Sequence, residues 1–324
     1  MIIITGGAGF IGSAFAWKLN QEGIDDIIIV DRLGTSDKWR NLVNLHYVDY
    51  LHSDDFLQRI CKDDLPFEVS AVVHMGACSS TTERNAEYLW KNNFLYTRTV
   101  AEWSVRRGIR FIYASSAATY GDGESGFSDD LSRIKMLKPI NMYGYSKQVF
   151  DLWVLRHRMD RKMAGIKFFN VFGPNEYHKG DMTSVIYKAF HQIRETGKVC
   201  LFKSYQPQYP DGGQMRDFVY VKNCVDILWW LLQNPVVNGI FNVGTGKART
   251  WNDLIKAVFA AMDKQKNIEY IEMPDSIRHQ YQYFTQAEMD KLKESGCLID
   301  FFTLEDSVRD YVVNYLQNHD PYLC

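Results

Sequence analysis

Tyr143 and Lys147 stand four residues apart in the run Met142-Tyr143-Gly144-Tyr145-Ser146-Lys147. If the run is helical, the two side chains share a face. An ammonium beside a phenol stabilises the phenolate, so the proton can leave well below the ordinary tyrosine value of about 10. Such a phenol can take a proton from an alcohol while a hydride departs from the same carbon. The spacing also suits two solvent-facing side chains on an amphipathic helix. It becomes chemistry only with a hydride acceptor bound nearby.

The N-terminus reads as a site for one. The apolar run Ile2-Ile3-Ile4 leads into Thr5-Gly6-Gly7-Ala8-Gly9-Phe10-Ile11-Gly12, and a helical pattern follows through Phe15 and Leu19. In this strand–turn–helix reading, Gly6 allows the tight turn and Gly9 lets a pyrophosphate approach the backbone. Gly12 lets the helix pack closely, and the phosphates sit on free N–H groups at its N-terminus. A second strand, Ile27-Ile28-Ile29-Val30, ends in Asp31 at about the twenty-residue offset of a dinucleotide fingerprint. A carboxylate there bonds a ribose diol and favours NAD. Arg32 directly after it and Lys38 a few residues on could instead neutralise the 2′-phosphate of NADP. The residues alone leave that choice open.

The alternation of strand and helix continues. Ala71-Val72-Val73-His74 predicts a strand with Gly76 to Ser80 as its loop, then a long helix over 86–107 and the strand Arg110 to Ala114. The Tyr143–Lys147 helix is expected to run to about Arg161 and the next strand over 166–171. This succession predicts an α/β fold: a doubly wound parallel Rossmann sheet with sites at the carboxyl ends of its strands, joined to a smaller mixed α/β lobe. The boundary falls at 171/172, giving a cofactor domain over 1–171, a return segment near 216–245, and a substrate domain over 172–324. Helices are expected at 182–196, 222–233, 251–263 and 305–317, and a surface hairpin or loop over 198–214.

Composition excludes several classes. Among 324 residues, a net charge of −2 leaves no electrostatic footprint for nucleic acid. No apolar run approaches the roughly 20 residues that span a bilayer, so no membrane partner is expected. Residues 1–17 lack a basic leader and carry glycines, which reads as a buried strand and loop rather than a signal peptide. The six cysteines are dispersed without C-x-x-C spacing. Neither a metal site nor a disulfide framework is implied, and a cytoplasmic location is expected.

Together with Thr5–Gly12, Asp31 and the Tyr143/Lys147 pair, the runs Ser115 to Gly121 and Phe169-Asn170-Val171-Phe172-Gly173-Pro174 resemble the extended short-chain dehydrogenase/reductases, which modify nucleotide sugars. The resemblance runs nearly end to end. Within that family the chain is most similar to the heptose 6-epimerase branch. The segments that carry this are His74 to Glu83, Asn141 to Lys147, Asn175 to Gly180, Arg216 to Val221, Asn242 to Gly246 and Tyr281 to Ala287.

The resemblance implies a tightly held NADP, with NAD as the alternative, and a nucleotide-sugar substrate whose C6″ is oxidised and re-reduced from the opposite face. It also implies a homo-oligomer. Tyr143 and Lys179 would be the two acid/base groups on opposite sides of the reacting carbon, if burial lowers the lysine. Ser116 would bond the reacting oxygen, and Lys147 would bind the nicotinamide ribose and lower Tyr143. Besides the three glycines, the implied cofactor positions are Phe10, Ile11, Asp31, Arg32, Lys38, Met75, Gly76, Ala77, Cys78, Ser79, Asn92, Lys147, Val171 and Lys179. The implied substrate positions are Ser116, Asn170, Asp181, Lys188, Phe202, Arg216 and Tyr281.

Met75 stands where many members carry an acid, and Asp181 and Lys188 where some relatives have Ser and His. Arg216 is read either as a structural partner of Asp217 or as a bidentate ligand of the diphosphate. Ala117 and Ala118 replace the acidic pair of related dehydratases and argue against elimination. The rival readings are a UDP-hexose 4-epimerase, a net oxidoreductase and a non-catalytic NADP-binding regulatory protein.

Overall fold

The computed structural model describes residues 1–278 and 281–324. Short, wholly buried runs such as Ile2-Ile3-Ile4 have no polar face, so they form central strands covered on both sides. In chain order the strands are β1 (Ile2–Thr5), β2 (Ile27–Asp31), β3 (Asp49–His52), β4 (Ala71–His74), β5 (Arg110–Ser116), β6 (Met163–Phe168), β7 (Asn170–Phe172), β8 (Val199–Phe202), β9 (Met215–Tyr220), β10 (Gly239–Val243), β11 (Ala248–Thr250) and β12 (Ile268–Ile271). Seven of them form one sheet in the order β10-β6-β5-β4-β1-β2-β3, and every pairing in it is parallel.

Successive residues of a strand face opposite ways, so each sheet face owns its own core. Ile2, Ile4, Ile27 and Ile29 pack with Phe15 and Leu19 of the helix Phe10–Gln21 and with Leu228 of the helix Val221–Gln233. Ile3, Ile28 and Val30 pack with Phe56, Val100 and Phe150 on the other face. This is the expected doubly wound α/β architecture. The order reverses beside β1, between β1 and β4, and the crevice at the carboxyl ends of those strands is where such sheets bind ligands.

The smaller part holds a mixed three-stranded sheet, β11-β9-β7, and the parallel pair β12-β8. The helices Val185–Thr196, Trp251–Ala261 and Leu304–Tyr311 pack around them.

Four expectations change in detail. The stretch 198–214 is not all loop, because Val199 and Leu201 alternate inward and make β8 a strand paired with β12. The strand expected over 166–171 divides at Phe169, whose N–H donates to the Val243 carbonyl at 3.0 Å, so β6 stays in the large sheet and β7 joins the small one. The long helix over 86–107 contains a π-helical segment, Trp90–Leu95, between Ala86–Leu89 and Tyr96–Arg106. The Tyr143 helix ends at Arg156, short of Arg161. Among the described residues no helix is long and apolar enough to cross a membrane.

Candidate active site

The turn after β1 fits a pyrophosphate because side chains are sterically shut out of it. Gly6 has φ +66°, and a Cβ there would lie 2.6 Å from the Gly76 backbone; a Cβ on Gly12 would run into the Gly6 carbonyl oxygen. The Gly9 N–H donates to the Gly6 carbonyl at 2.9 Å, closing the turn against the N-terminus of the helix Phe10–Gln21. The residues present therefore suit a dinucleotide: a bare backbone cradle at a helix N-terminus, with a carboxylate at the end of the next strand.

That carboxylate is already engaged. Asp31 accepts from the Ala8 N–H at 2.9 Å through one oxygen. Its other oxygen takes the Arg32 N–H at 2.6 Å and the Lys38 ammonium at 2.7 Å. The Arg32 guanidinium reaches Asp54 at 2.6 Å and Asn92 at 3.2 Å. Of the two cations expected near the ribose, Lys38 pairs with Asp31, while the Arg32 guanidinium turns to Asp54 and stays partly open to solvent.

Tyr143 and Lys147 come together on the helix Met142–Arg156, capped by the Asn141 side chain, which accepts from the Gly144 N–H at 2.8 Å. Gly144 is needed there: a Cβ would meet the Ala118 carbonyl oxygen at 2.6 Å, so the helix start lies directly on the turn after β5. Lys147 is buried, and its ammonium donates to the Ala114 carbonyl at 2.7 Å. Burial pushes Lys147 down to about 8, with Asp151 and then Cys78 pulling it back up.

The Tyr143 phenol departs from the sequence reading. Burial pushes it above its ordinary value, and hydrogen bonding with Ser116, rather than the lysine charge, is what pulls it down. Lys147 spends its ammonium on a backbone carbonyl. Ser116 ends β5 and caps the following turn through the Ala118 N–H at 3.1 Å.

Lys179 arrives from a different direction. Its turn, Tyr177–Met182, hangs from the buried Glu176, which accepts from the Ser184 N–H and hydroxyl, both at 2.6 Å, and from Tyr311 at 3.0 Å. Asn175 ties the same turn to Ser13 of the first helix at 3.0 Å. The Lys179 ammonium lies 5.2 Å above the Phe10 ring, and burial lowers its proton affinity against the opposing pull of Glu176. His178, at 3.3 Å from the Asn41 side chain, is pushed down to about 4 by burial first and then by Lys38 and Lys179.

One cavity of about 570 Å³ unites these parts. Its walls include Gly6, Gly9, Phe10, Ile11, Gly12, Asp31, Lys38, Met75, Gly76, Ala77, Ser79, Ser116, Tyr143, Lys147, Asn170, Val171 and Lys179. Arg32, Cys78 and Asn92 line a smaller adjoining cavity of about 200 Å³ that shares Asp31 and Lys38 with it.

The remaining positions divide. Lys188, Phe202 and Tyr281 border a further cavity of about 300 Å³ that shares Val185 and Trp251 with the large one. Asp181 is exposed and lines none of these cavities; its carbonyl accepts from Lys188 at 2.6 Å.

Arg216 does not pair with Asp217, because neighbours on β9 face opposite sides. Asp217 accepts from the Thr245, Gly246 and Ala287 N–H groups at 2.7, 2.9 and 3.0 Å. Arg216 is buried between the Trp251 and Tyr281 rings, 5.7 and 5.4 Å from their centroids, and donates to the Met215 and Gln282 carbonyls. Sequence reading missed Trp251, which joins two cavities and donates to the Tyr281 hydroxyl at 3.0 Å. Nothing in its local sequence separates it from a core aromatic.

A glycine cradle, a strand-end carboxylate and a tyrosine–lysine helix on a doubly wound sheet define a nicotinamide-dependent enzyme. The chain belongs to the NAD dependent epimerase/dehydratase family, which it matches over residues 2–244. It is 62% identical over 323 residues to the ADP-L-glycero-D-manno-heptose-6-epimerase of Nitratidesulfovibrio vulgaris (strain DP4), with 100% of both chains covered. It is 49% identical over 333 residues to the enzyme of the same name from Fusobacterium nucleatum subsp. nucleatum, again with 100% of each chain covered. Among solved structures, the ADP-L-glycero-D-manno-heptose-6-epimerase of Helicobacter pylori has a TM-score of 0.80 at 26% identity, covering 97% of this chain and 95% of that one.

Proposed function

We infer that this chain is an ADP-L-glycero-D-manno-heptose-6-epimerase. It inverts C6″ of ADP-D-glycero-β-D-manno-heptose in the supply of heptose for a lipopolysaccharide core. The observation that carries the mechanism is that Tyr143 and Lys179, brought by unrelated elements, line one cavity beside the glycine cradle. The full-length identity to enzymes of that name supports the substrate.

A carbon without an acidic C–H cannot be inverted by deprotonation alone; the bound nicotinamide supplies the reversible hydride transfer that makes C6″ transiently planar. The side chains handle the proton. Tyr143 takes it from the C6″ hydroxyl on one face, and Ser116 bonds the same oxygen. Lys179, its proton affinity lowered by burial, serves the opposite face after the sugar turns in the cavity. Lys147 orients the ribose of the cofactor.

We assign NADP as that cofactor, because Arg32 and Lys38 flank Asp31 and can face a 2′-phosphate. On this reading residues 1–171, with the return near 216–245, bind the cofactor, and 172–324 bind the sugar nucleotide. Asn170, Arg216, Phe202, Tyr281 and Lys188 serve the substrate, and Asp181 acts only through its contact with Lys188.

Incubation with ADP-D-glycero-β-D-manno-heptose, with C6″ configuration followed by NMR, tests the activity. Folded, cofactor-loaded protein that leaves C6″ unchanged but turns over a UDP-hexose would transfer the assignment to the 4-epimerases. Cofactor released by denaturation and identified as NAD by mass would overturn the NADP assignment.

A further inference from the structure

One buried ion pair joins the tyrosine–lysine helix to β6 and has no part in the chemistry above. Tyr143, Lys147 and Asp151 follow one another at four-residue steps along the inward stripe of the helix Met142–Arg156. Asp151 is 0% exposed and meets the ammonium of Lys167, also 0% exposed, at 2.5 Å. The rest of its carboxylate is taken by β5: Tyr113 donates at 3.0 Å and Ser115 at 2.7 Å. Lys167, from β6, also donates to Thr119 at 2.7 Å, in the turn that follows Ser116. The two strands and the turn are thus tied to the helix through one carboxylate. Between Tyr113 and Ser115, the Ala114 carbonyl accepts from Lys147.

A buried ion pair gains little stability over apolar packing of the same volume, so its use is sought in what its charges act on. We propose that the Asp151–Lys167 pair is a positioning device for Lys147: it holds the helix in register over β5, and its two opposite charges set how firmly Lys147 keeps its proton. The proposal rests on the reading of Lys147 as part of the site.

The titratable groups around Lys147 are Asp151 on its own helix, Cys78 from the loop after β4 and His74 from β4, with Tyr143 one turn before it on the same helix face. Burial pushes the Cys78 thiol and the Tyr143 phenol up, and holds His74 down at about 3, so these three are neutral near pH 7. Asp151 is the group that most favours the charged lysine against its burial. Lys167, bonded to the same carboxylate, carries the opposite charge, and on the proposal it offsets part of that field.

The two charges therefore predict shifts of opposite sign, whereas a purely mechanical role predicts shifts of the same sign or none. The Lys147 titration is followed by NMR of ¹³C-lysine-labelled holoenzyme, with Lys147→Arg used for assignment. Asp151→Asn, which keeps hydrogen-bonding groups toward Tyr113 and Ser115, should lower the midpoint by about one pH unit. Lys167→Gln should raise it.

Two midpoints that stay at the wild-type value, or move together, overturn the proposal. If Asp151→Asn does not fold, Lys167→Gln decides alone: a rise supports the pair and an unchanged midpoint overturns it. The titration needs no substrate. Opposite shifts in a protein that does not turn over the heptose would retain the pair and remove the substrate assignment instead.

Discussion

At the scale of single residues, the site separates two jobs that the four-residue spacing assigned to one pair. In the proposed mechanism Tyr143 holds the transferable proton; the hydroxyl of Ser116 and the bulk around it set the phenol, while Lys147 faces a backbone carbonyl. Tyr143→Phe should therefore cut turnover by about 10²- to 10⁴-fold without loss of bound cofactor, read by steady-state rates beside the released dinucleotide. Lys179→Met should slow inversion in the same range; a variant with full C6″ inversion would remove Lys179 from the second face. Burial pushes Lys147 down to about 8; with Lys147 binding the cofactor ribose as a cation, as proposed, kcat/KM should fall as pH rises through that value. A pH–rate profile flat to pH 10 would contradict this.

At the scale of elements, function depends on backbones that approach too closely for side chains. Gly12→Ala would drive a Cβ into the Gly6 carbonyl and push the first helix off β1. The expected result is folded protein purified without its dinucleotide, seen as a missing nicotinamide band. Asp217 is the matching device in the smaller part, where one carboxylate gathers the loops at Thr245, Gly246 and Ala287 beneath Arg216. Asp217→Ala leaves those N–H groups, one buried and two half-buried, without a partner and should cost roughly 3 kcal/mol in urea denaturation.

Local pattern revealed most of these elements, since buried parallel strands and amphipathic helices write their periods into the chain. It failed where pairing partners decide. Val199–Phe202 reads as loop among Tyr, Pro and Gln until Ile268–Ile271 lies beside it. The division of β6 from β7 at Phe169 depends on Val243, far along the chain.

At the scale of the molecule, loss of stability in acid follows from buried neutral imidazoles. His74 bridges the hydroxyls of Thr5 and Thr97 at 2.6 and 2.8 Å and is held down to about 3 in the fold, against an unfolded value of about 6.5. The unfolded chain therefore binds the extra proton between those values. Stability from the neutral ring is complete above about pH 6.5 and is lost as pH falls toward 3, with a slope of roughly 1.4 kcal/mol per pH unit. His178, held at about 4, adds a second proton over the upper part of that range. Urea midpoints at pH 5 and 7 should show this loss, and His74→Gln should flatten it by one proton.

The sequence by itself determined the doubly wound sheet, the glycine cradle with its carboxylate, and the tyrosine–lysine helix. Each of these is local: a run of buried residues, a turn that only glycine can make, or a spacing along one helix. Tertiary structure decided what those parts face. It set Lys179 over Phe10 through Glu176 and Asn175, placed Arg216 between Trp251 and Tyr281, and buried Asp151 of the tyrosine–lysine helix against Lys167. The partners in these contacts lie from 16 residues to well over 100 apart in the chain. Their meeting is fixed by strand order and by the burial of charge, neither of which leaves a local pattern.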